Sequence, residues 1–215
     1  MCITLQFKKR YFYLFFYFST IHFVGSSCRT ERSRSDIKYI SLENKNIILE
    51  TERLILREHV LSDAPFFFEL NSNYNVVKYT GDSSFNTIEE AEDIVRYVMN
   101  QYKENGYGRW LLAEKETNTP IGWCGLKFHT DTKETDIGYR LLESAWGKGY
   151  ATESAKACID YGFKHFNLNH IIGNAMKENT ASINVFKKLG MTYLNDTLID
   201  NIPSVTYELY KENFK

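Results

Sequence analysis

The amino-acid sequence predicts a mixed α+β domain over residues 47–215, on three observations. Strand-like and helix-like segments alternate irregularly along the chain, which is typical of an α+β arrangement. Three strand-like segments between residues 109 and 142 follow one another across short turns and predict an antiparallel meander. Residues 136–166 then give a strand, a glycine turn and an amphipathic helix.

Local patterns support each element in turn. Ser62 before Pro65 predicts a helix start with Ser62 as its cap, and Thr87 with Glu90 predicts a capping box for a long helix. Asn179 predicts the cap of the last helix. In chain order the predicted elements are a strand region at 46–57, a helix from 62, a loop at 71–84, a helix from 88 to 105, strands at 109–114, 121–127 and 136–142, a helix after 149, a strand at 170–175, a helix at 180–189, and strands at 192–197 and 205–210.

Composition and charge bound the function. A hydrophobic content of 43% with 25% charged residues is typical of a folded globular chain. Residues 1–46 hold eight Lys and Arg against three Asp and Glu, whereas the rest hold 18 against 24. The folded body is therefore mildly acidic, which gives no support for nucleic-acid binding and mildly favours a cationic ligand. The four cysteines and five histidines show no metal-binding spacing, so no metal is expected.

Residues 1–46 form an extension that does not fit the pattern of the fold. Lys8-Lys9-Arg10 precede an apolar run that reaches Val24, which is short of the about 20 residues that a membrane-spanning helix needs. Such a segment is typical of a signal peptide or short anchor. A targeting segment, an unstructured tail and a start of translation nearer residues 44–46 all stay open. Membrane contact is expected, if at all, only through residues 8–24.

The stretch from Ser144 to Glu153 organises the domain, because it joins a strand to a helix through two glycines that flank Lys148. Glycines let backbone N–H groups approach an anion, and a helix start adds unpaired donors and about half a positive charge. A Walker loop is excluded by spacing, and Thr152 stands where a dinucleotide fingerprint needs its third glycine. On these residues alone, a phosphate-binding loop and a simple tight turn both stay open.

The ordered set of motifs resembles the GNAT N-acetyltransferases, in particular the branch of the ribosomal-protein alanine acetyltransferases. The resemblance covers roughly residues 47–212. The segments that carry it are Thr51–Arg57, Asp136–Tyr139, Trp146–Ala155, Asn179–Ser182 and Lys187–Met191.

This resemblance implies the GNAT fold, a central, mostly antiparallel twisted sheet flanked by helices, and acetyl-coenzyme A as cosubstrate. Because acetyl-coenzyme A is a cytosolic metabolite, it also favours the cytoplasm, with either a monomer or a homodimer. A free N–H on the strand at 136–142 would polarise the thioester carbonyl. The residues implied to hold the coenzyme are Leu141 and Leu142 along the pantetheine arm, Trp146 at the loop start, Gly147, Lys148, Gly149, Tyr150, Ala151 and Thr152 at the pyrophosphate, and Asn179 and Ser182 near the thioester.

Catalytic residues are less clearly implied. Many family members carry a tyrosine as general acid where this chain has Phe186, which donates no proton, so water or Ser182 would protonate the thiolate. Asp136 is the first candidate for the general base, and His129 is a weaker one. For Asp136 a solvent-facing carboxylate, or one paired with Arg140, is the structural alternative.

The leading hypothesis is an N-acetyltransferase that transfers an acetyl group to a primary amine by direct attack in a ternary complex. The acceptor would be a protein N-terminus or a small molecule, shaped by the loops at 71–84 and 197–204, which carry no motif. The main alternative is an acyl-coenzyme A-binding module without turnover, which Phe186 motivates. A membrane-tethered interaction protein is a third hypothesis, and it depends only on residues 8–24.

Overall fold

The structure, a computed structural model, describes residues 46–215. The described residues form one eight-stranded sheet in the order β1-β2-β3-β4-β5-β6-β8-β7. The elements are β1 (Ile47–Glu50), β2 (Leu54–Arg57), α1 (Ala64–Ser72), α2 (Tyr74–Val77), α3 (Ile88–Asn105), β3 (Arg109–Glu114), β4 (Pro120–His129), β5 (Glu134–Leu141), α4 (Tyr150–His165), β6 (His170–Met176), α5 (Thr180–Lys188), β7 (Thr192–Ile199) and β8 (Ile202–Tyr210). Residues 1–45 of the predicted extension, with its apolar run at 8–24, lie outside the described residues, and the boundary of the extension stays a prediction.

Neighbouring strands are antiparallel throughout the sheet except for β5 and β6, which are parallel. The meander of β3, β4 and β5 confirms the sequence prediction, as does the mixed α+β class with helices on the sheet. The prediction of one strand region at 46–57 was wrong, because the chain turns at Thr51 and pairs β1 with β2. The backbone N–H of Thr51 donates to the carbonyl of Leu54 at 2.9 Å and closes that turn without any glycine or proline.

Helix ends follow the local signals in most places. Thr87 and Glu90 form the predicted capping box of α3, which ends at Gly106 in the left-handed region with φ 77°. Asn179 caps α5 as predicted. Ser62 does not cap α1, since the chain makes a short 3-10 turn there and Asp63 precedes the helix.

The segment at 71–84 is not a plain loop. It begins within α1 and contains the single turn of α2. The side chain of Asn73 starts that turn by accepting a hydrogen bond from the backbone N–H of Asn75 at 2.9 Å.

Two apolar clusters lie on opposite faces of the sheet. On one face α4 packs its small and aromatic side chains against β4, β5 and β6, and α5 adds Phe186. On the other face α1 and α3 pack against β3 and β4 around Trp123. The sheet is therefore buried on both faces at its centre, where β4 and β5 lie. In residues 46–215 no helix is both long enough and apolar enough to cross a membrane.

Candidate active site

A gap opens in the sheet between β5 and β6. The only register pair that joins these strands in the described residues is Asp136 with Ile172. Beyond it, β5 continues to pair with β4 as far as Leu141, while β6 pairs with β8 as far as Met176. The two strands therefore separate toward their carboxyl ends, and the gap lies between residues 137–141 and 173–176.

The edge of β5 that faces the gap offers backbone donors. The N–H of Leu142 donates to the carbonyl of Ile121 at 2.9 Å, so it points to the β4 edge. Because successive N–H groups of a strand point to opposite edges, those of Leu141 and Tyr139 point to the gap. These two N–H groups therefore line the gap, where an extended ligand arm would lie beside them.

Leu142 and Trp146 serve the protein itself. Both backbone groups of Leu142 have protein partners, since its carbonyl accepts from the N–H of Ala145 at 3.0 Å. The indole Nε1 of Trp146 donates to the carbonyl of Leu141 at 2.9 Å, which turns the ring back onto the end of β5. The geometry therefore favours Tyr139 and Leu141, rather than Leu142, as backbone partners of a ligand.

The glycine loop leads into α4 with its first amides unclaimed by the helix. Gly147 and Gly149 have φ 75° and 83°, in the left-handed region that favours glycine. The first bond of the helix runs from the N–H of Glu153 to the carbonyl of Gly149 at 3.1 Å. The N–H groups of residues 150–152 precede that bond, so they and the helix dipole form an anion-binding end.

Asn179 and Ser182 lie at the start of α5, beyond the carboxyl end of β6. The Asn179 Oδ1 accepts from the backbone N–H of Ser182 at 3.1 Å, and both residues are buried. The Tyr139 hydroxyl reaches the Ser182 carbonyl at 3.5 Å, which connects α5 to β5 across the gap. The structure thus brings Asn179 and Ser182 to the gap, together with β5.

Phe186 is a core residue. Its side chain is fully buried, and its ring centroid lies 5.5 Å from that of Tyr207. A Cβ atom on Gly173 would lie 2.6 Å from the ring, so the glycine leaves the space that Phe186 fills. The position supplies packing and no proton donor.

Asp136 is buried beside the point where the gap begins. The Arg109 NH2 group donates to its Oδ1 at 2.7 Å, and the Nε2 of His129 lies 3.4 Å from its Oδ2. Burial raises the pKa of Asp136, but the Arg109 guanidinium and His129 outweigh it and lower that pKa to about 2. A carboxylate with so low a pKa is a weak base at neutral pH.

The structural alternative for Asp136 was wrong in both parts, because the carboxylate neither faces solvent nor pairs with Arg140. Arg140 instead donates to the side chain of Asn71 and, at 2.8 Å, to that of Asp82. The two guanidinium groups of Arg109 and Arg140 both lie over the indole of Trp123, at 5.5 and 5.6 Å from its centroid. Because Asn71 and Asp82 belong to the loop at 71–84, which is expected from sequence to shape the acceptor site, we call this set the acceptor-side layer: Asn71, Asp82, Arg109, Trp123, Asp136 and Arg140.

The two loops without motifs meet beside this layer. Asp82 ties the loop at 71–84 to Arg140 of β5. A Cβ atom on Gly81 would lie 3.7 Å from the Cδ1 of Ile202, at the turn between β7 and β8. Since Ser204, just beyond that turn, pairs with Met176 at the end of β6, the loops meet near the carboxyl end of the gap.

A comparison with known families decides what this site is. The model of the acetyltransferase (GNAT) domain matches residues 53–192, which include the gap, the glycine loop and the start of α5. The chain belongs to the GNAT acetyltransferase family. The uncharacterized N-acetyltransferase p20 of Bacillus licheniformis is 36% identical over 142 residues, which cover 66% of this chain and 80% of that protein.

Solved structures share the fold. A GNAT-family acetyltransferase from Bacillus anthracis superposes with a TM-score of 0.68 at 26% identity, over 76% of this chain and 98% of that one. A ribosomal L7/L12 α-N-protein acetyltransferase in complex with coenzyme A gives a TM-score of 0.67 at 19% identity, over 77% and 98%. This GNAT chain is thus an N-acetyltransferase with acetyl-coenzyme A as cosubstrate, and the alternative of a binding module without turnover is not retained.

Some contacts of this GNAT site were not predicted from sequence. Arg109 and Asp136 are 27 residues apart, and Arg140 and Asp82 are 58 apart, so no local pattern joins them. Thr51–Arg57 carried the family resemblance but had no assigned role until the structure placed Arg53 against the glycine loop. Among the described residues, no group of three His, Cys, Asp or Glu side chains could hold a metal ion.

Proposed function

We propose that acetyl-coenzyme A binds with its pyrophosphate on the glycine loop and its pantetheine arm along the open edge of β5. The observation that carries this proposal is the single register pair between β5 and β6, which leaves the N–H groups of Tyr139 and Leu141 facing the gap just before the loop. The proposed coenzyme contacts are the residues predicted from sequence together with Tyr139: Tyr139, Leu141, Leu142, Trp146, Gly147, Lys148, Gly149, Tyr150, Ala151, Thr152, Asn179 and Ser182. Of these, Leu142 and Trp146 contribute by bonds that shape the protein around the coenzyme.

The acetyl group passes directly from the thioester to the amine. Cys124 and Cys158, the two cysteines of the described residues, are buried with their sulfur atoms 3.6 Å apart. Burial raises the pKa of the Cys158 thiol, and the Cys124 thiol is buried beside it, so neither sulfur is exposed to attack a thioester. The amine nitrogen attacks the thioester carbon, and an N–H of Tyr139 or Leu141 stabilises the oxyanion. The C–S bond then breaks and the thiolate leaves.

Water in the gap accepts the proton that the amine loses. Ser182 lies near the departing thiolate and donates a proton to it. That Asp136 acts as the general base stays a prediction. The main physical argument against this role is the ion pair between Asp136 and Arg109. Thiols have a pKa near 8.5, so the thiolate is a good leaving group at neutral pH even without an acid at Phe186.

The acceptor is a single primary amine, and a protein N-terminus of the ribosomal-protein type is the class that we favour. The carboxylates bordering the acceptor-side layer already have partners: Asp82 pairs with Arg140, and Glu143 accepts from Asn73 at 3.1 Å. A polyamine, with several ammonium groups, would need several uncommitted carboxylates. A single α-amine needs fewer such carboxylates than a polyamine does. The mildly acidic net charge of residues 47–215 attracts the ammonium form of that amine.

Thiol release from acetyl-coenzyme A tests this function against a panel of amines. The panel holds ribosomal-protein N-terminal peptides, spermidine and an aminoglycoside, with each peptide repeated in an N-terminally blocked form as its control. We expect release with free peptides and none with blocked ones. Release with spermidine alone would move the acceptor to small amines, while coenzyme binding without release by any of these amines would contradict the proposed acceptor classes.

A further inference from the structure

Arg53, in the turn between β1 and β2, contacts the glycine loop through its side chain. Its NH1 group donates to the carbonyl of Lys148 at 3.0 Å. Its guanidinium carbon lies 4.7 Å from the centroid of the Tyr150 ring, and a Cβ atom on Gly149 would lie 3.5 Å from its NH2 group. One side chain therefore contacts Lys148 and Tyr150 and lies beside the Gly149 between them.

Glu153, in the first turn of α4, fixes this arginine from the other side. Its Oε2 accepts from the Nε of Arg53 at 2.7 Å, and the NH2 group of Arg53 lies 2.5 Å from the same oxygen. Its Oε1 accepts from the backbone N–H of Arg53 at 3.0 Å and from the hydroxyl of Thr51 at 2.6 Å. An isolated exposed ion pair contributes little, but a carboxylate with this many donors holds the guanidinium in one orientation.

The bond to Lys148 has a directional consequence. In a trans peptide the carbonyl and the following N–H point in opposite directions. When Arg53 holds the Lys148 carbonyl on its own side, the N–H of Gly149 points to the opposite side of the loop. The neighbouring Gly147 also borders open space, since a Cβ atom there would meet no atom within 4 Å.

We propose that Arg53 is a positioning residue that orients the Lys148–Gly149 peptide so that the Gly149 N–H donates to the coenzyme pyrophosphate, with Glu153 and Thr51 holding Arg53 in place. The inference depends on the proposed position of the pyrophosphate. In this proposal Arg53 does not contact the phosphate itself, because its guanidinium is paired with the carboxylate of Glu153. These contacts connect the turn between β1 and β2 to the glycine loop and the start of α4, and Arg53 and Glu153 are 100 residues apart in sequence.

The test measures coenzyme A affinity by titration calorimetry on the full-length chain. Arg53→Gln should raise the dissociation constant about tenfold, as expected for the loss of a charge-assisted hydrogen bond that shapes the site. Arg53→Lys should raise it nearly as much, because an ammonium cannot bond the carbonyl and the carboxylate in the geometry of a guanidinium. Arg96→Gln is the matched control, since Arg96 is similarly exposed and pairs with Glu92 at 3.0 Å on α3.

A spectroscopic readout separates positioning from general stability. In the wild-type chain the amide resonance of Gly149 should shift when coenzyme A is added, and in Arg53→Gln that shift should shrink while the melting temperature stays close to the wild-type value. Wild-type affinity in Arg53→Lys would overturn the proposal, because charge alone would then suffice. An unchanged Gly149 shift in Arg53→Gln would overturn it as well.

Gly147→Val separates this inference from the function on which it depends. Its Cβ atom would enter open space, with no atom of Arg53 within 4 Å. If Gly147→Val weakens coenzyme binding and Arg53→Gln does not, only the positioning role fails. If Gly147→Val leaves the affinity unchanged, the proposed position of the pyrophosphate fails, and the role of Arg53 fails with it.

Discussion

The proposed coenzyme side of the site presents backbone N–H groups, from β5 and from residues 150–152, whereas the acceptor-side layer holds paired charged side chains that are buried or nearly so. A backbone donor is fixed by the conformation of its own loop, so the coenzyme side depends on glycines and a helix start. Buried charges hold their places only as long as each has its partner. The two sides should therefore respond differently to substitution: the coenzyme side in affinity, and the acceptor-side layer in stability.

The largest effect is expected in the acceptor-side layer, from Asp136→Asn. The substitution leaves Arg109 buried without its counter-charge, which should cost about 3–5 kcal/mol of the free energy of unfolding, measured with urea. Asp160→Asn is the control, because Asp160 forms an exposed pair with Lys164 at 2.7 Å, and it should cost less than about 1 kcal/mol. A stable Asp136→Asn enzyme with turnover reduced about 10²-fold and no acidic limb in its rate–pH profile would instead make Asp136 the general base.

Acid should weaken the same ion pair. The pKa of Asp136 in the folded chain, about 2, lies below its ordinary value of 3.8. Because its pKa is lowered by folding, the ionised Asp136 stabilises the fold at any pH above its ordinary pKa. This contribution to the free energy of unfolding, about 2 kcal/mol, is lost as the pH falls from about 4 to about 2. Urea unfolding over this range should show the stability of the wild type approaching that of Asp136→Asn. A constant difference between the two proteins would contradict the assignment.

On the coenzyme side, Gly149→Val should change affinity rather than the fold. Residue 149 is exposed with φ 83°, and a valine there is strained and would meet Arg53, so the loop must shift. We expect coenzyme A affinity to fall about tenfold, measured by calorimetry. Gly190→Val is the matched control, since Gly190 has φ 77° but follows α5, and it should leave affinity unchanged. Equal affinity in both variants would contradict the proposed position of the pyrophosphate on the glycine loop.

The smallest effect is expected from deletion of residues 1–45. Both sides of the site lie within residues 46–215, so the shortened chain should still melt cooperatively and bind coenzyme A with the affinity of the full-length chain. Differential scanning calorimetry and titration calorimetry check this. A loss of cooperative melting would show that the extension belongs to the fold.

The sequence by itself determined most of the elements and the conformation of the glycine loop. Glycines at 147 and 149 followed by a helical pattern specify a left-handed turn and free amides whatever the rest of the chain does, because backbone direction is a local property. For the same reason the caps at Thr87 and Asn179 were correct. The pattern failed at Thr51, where side-chain and backbone bonds close a turn that holds no turn-forming residue.

Only the tertiary structure decided which charges meet. Arg109 joins Asp136 because their strands flank β4 in one register, and Arg53 joins Glu153 because the first turn lies beside the start of α4. Periodicity tells which face a side chain occupies, but its partner depends on strand order and register, which are set by the packing of the whole sheet. Asp136 could therefore be placed on β5 from sequence, while its burial, its partner and its low pKa could not.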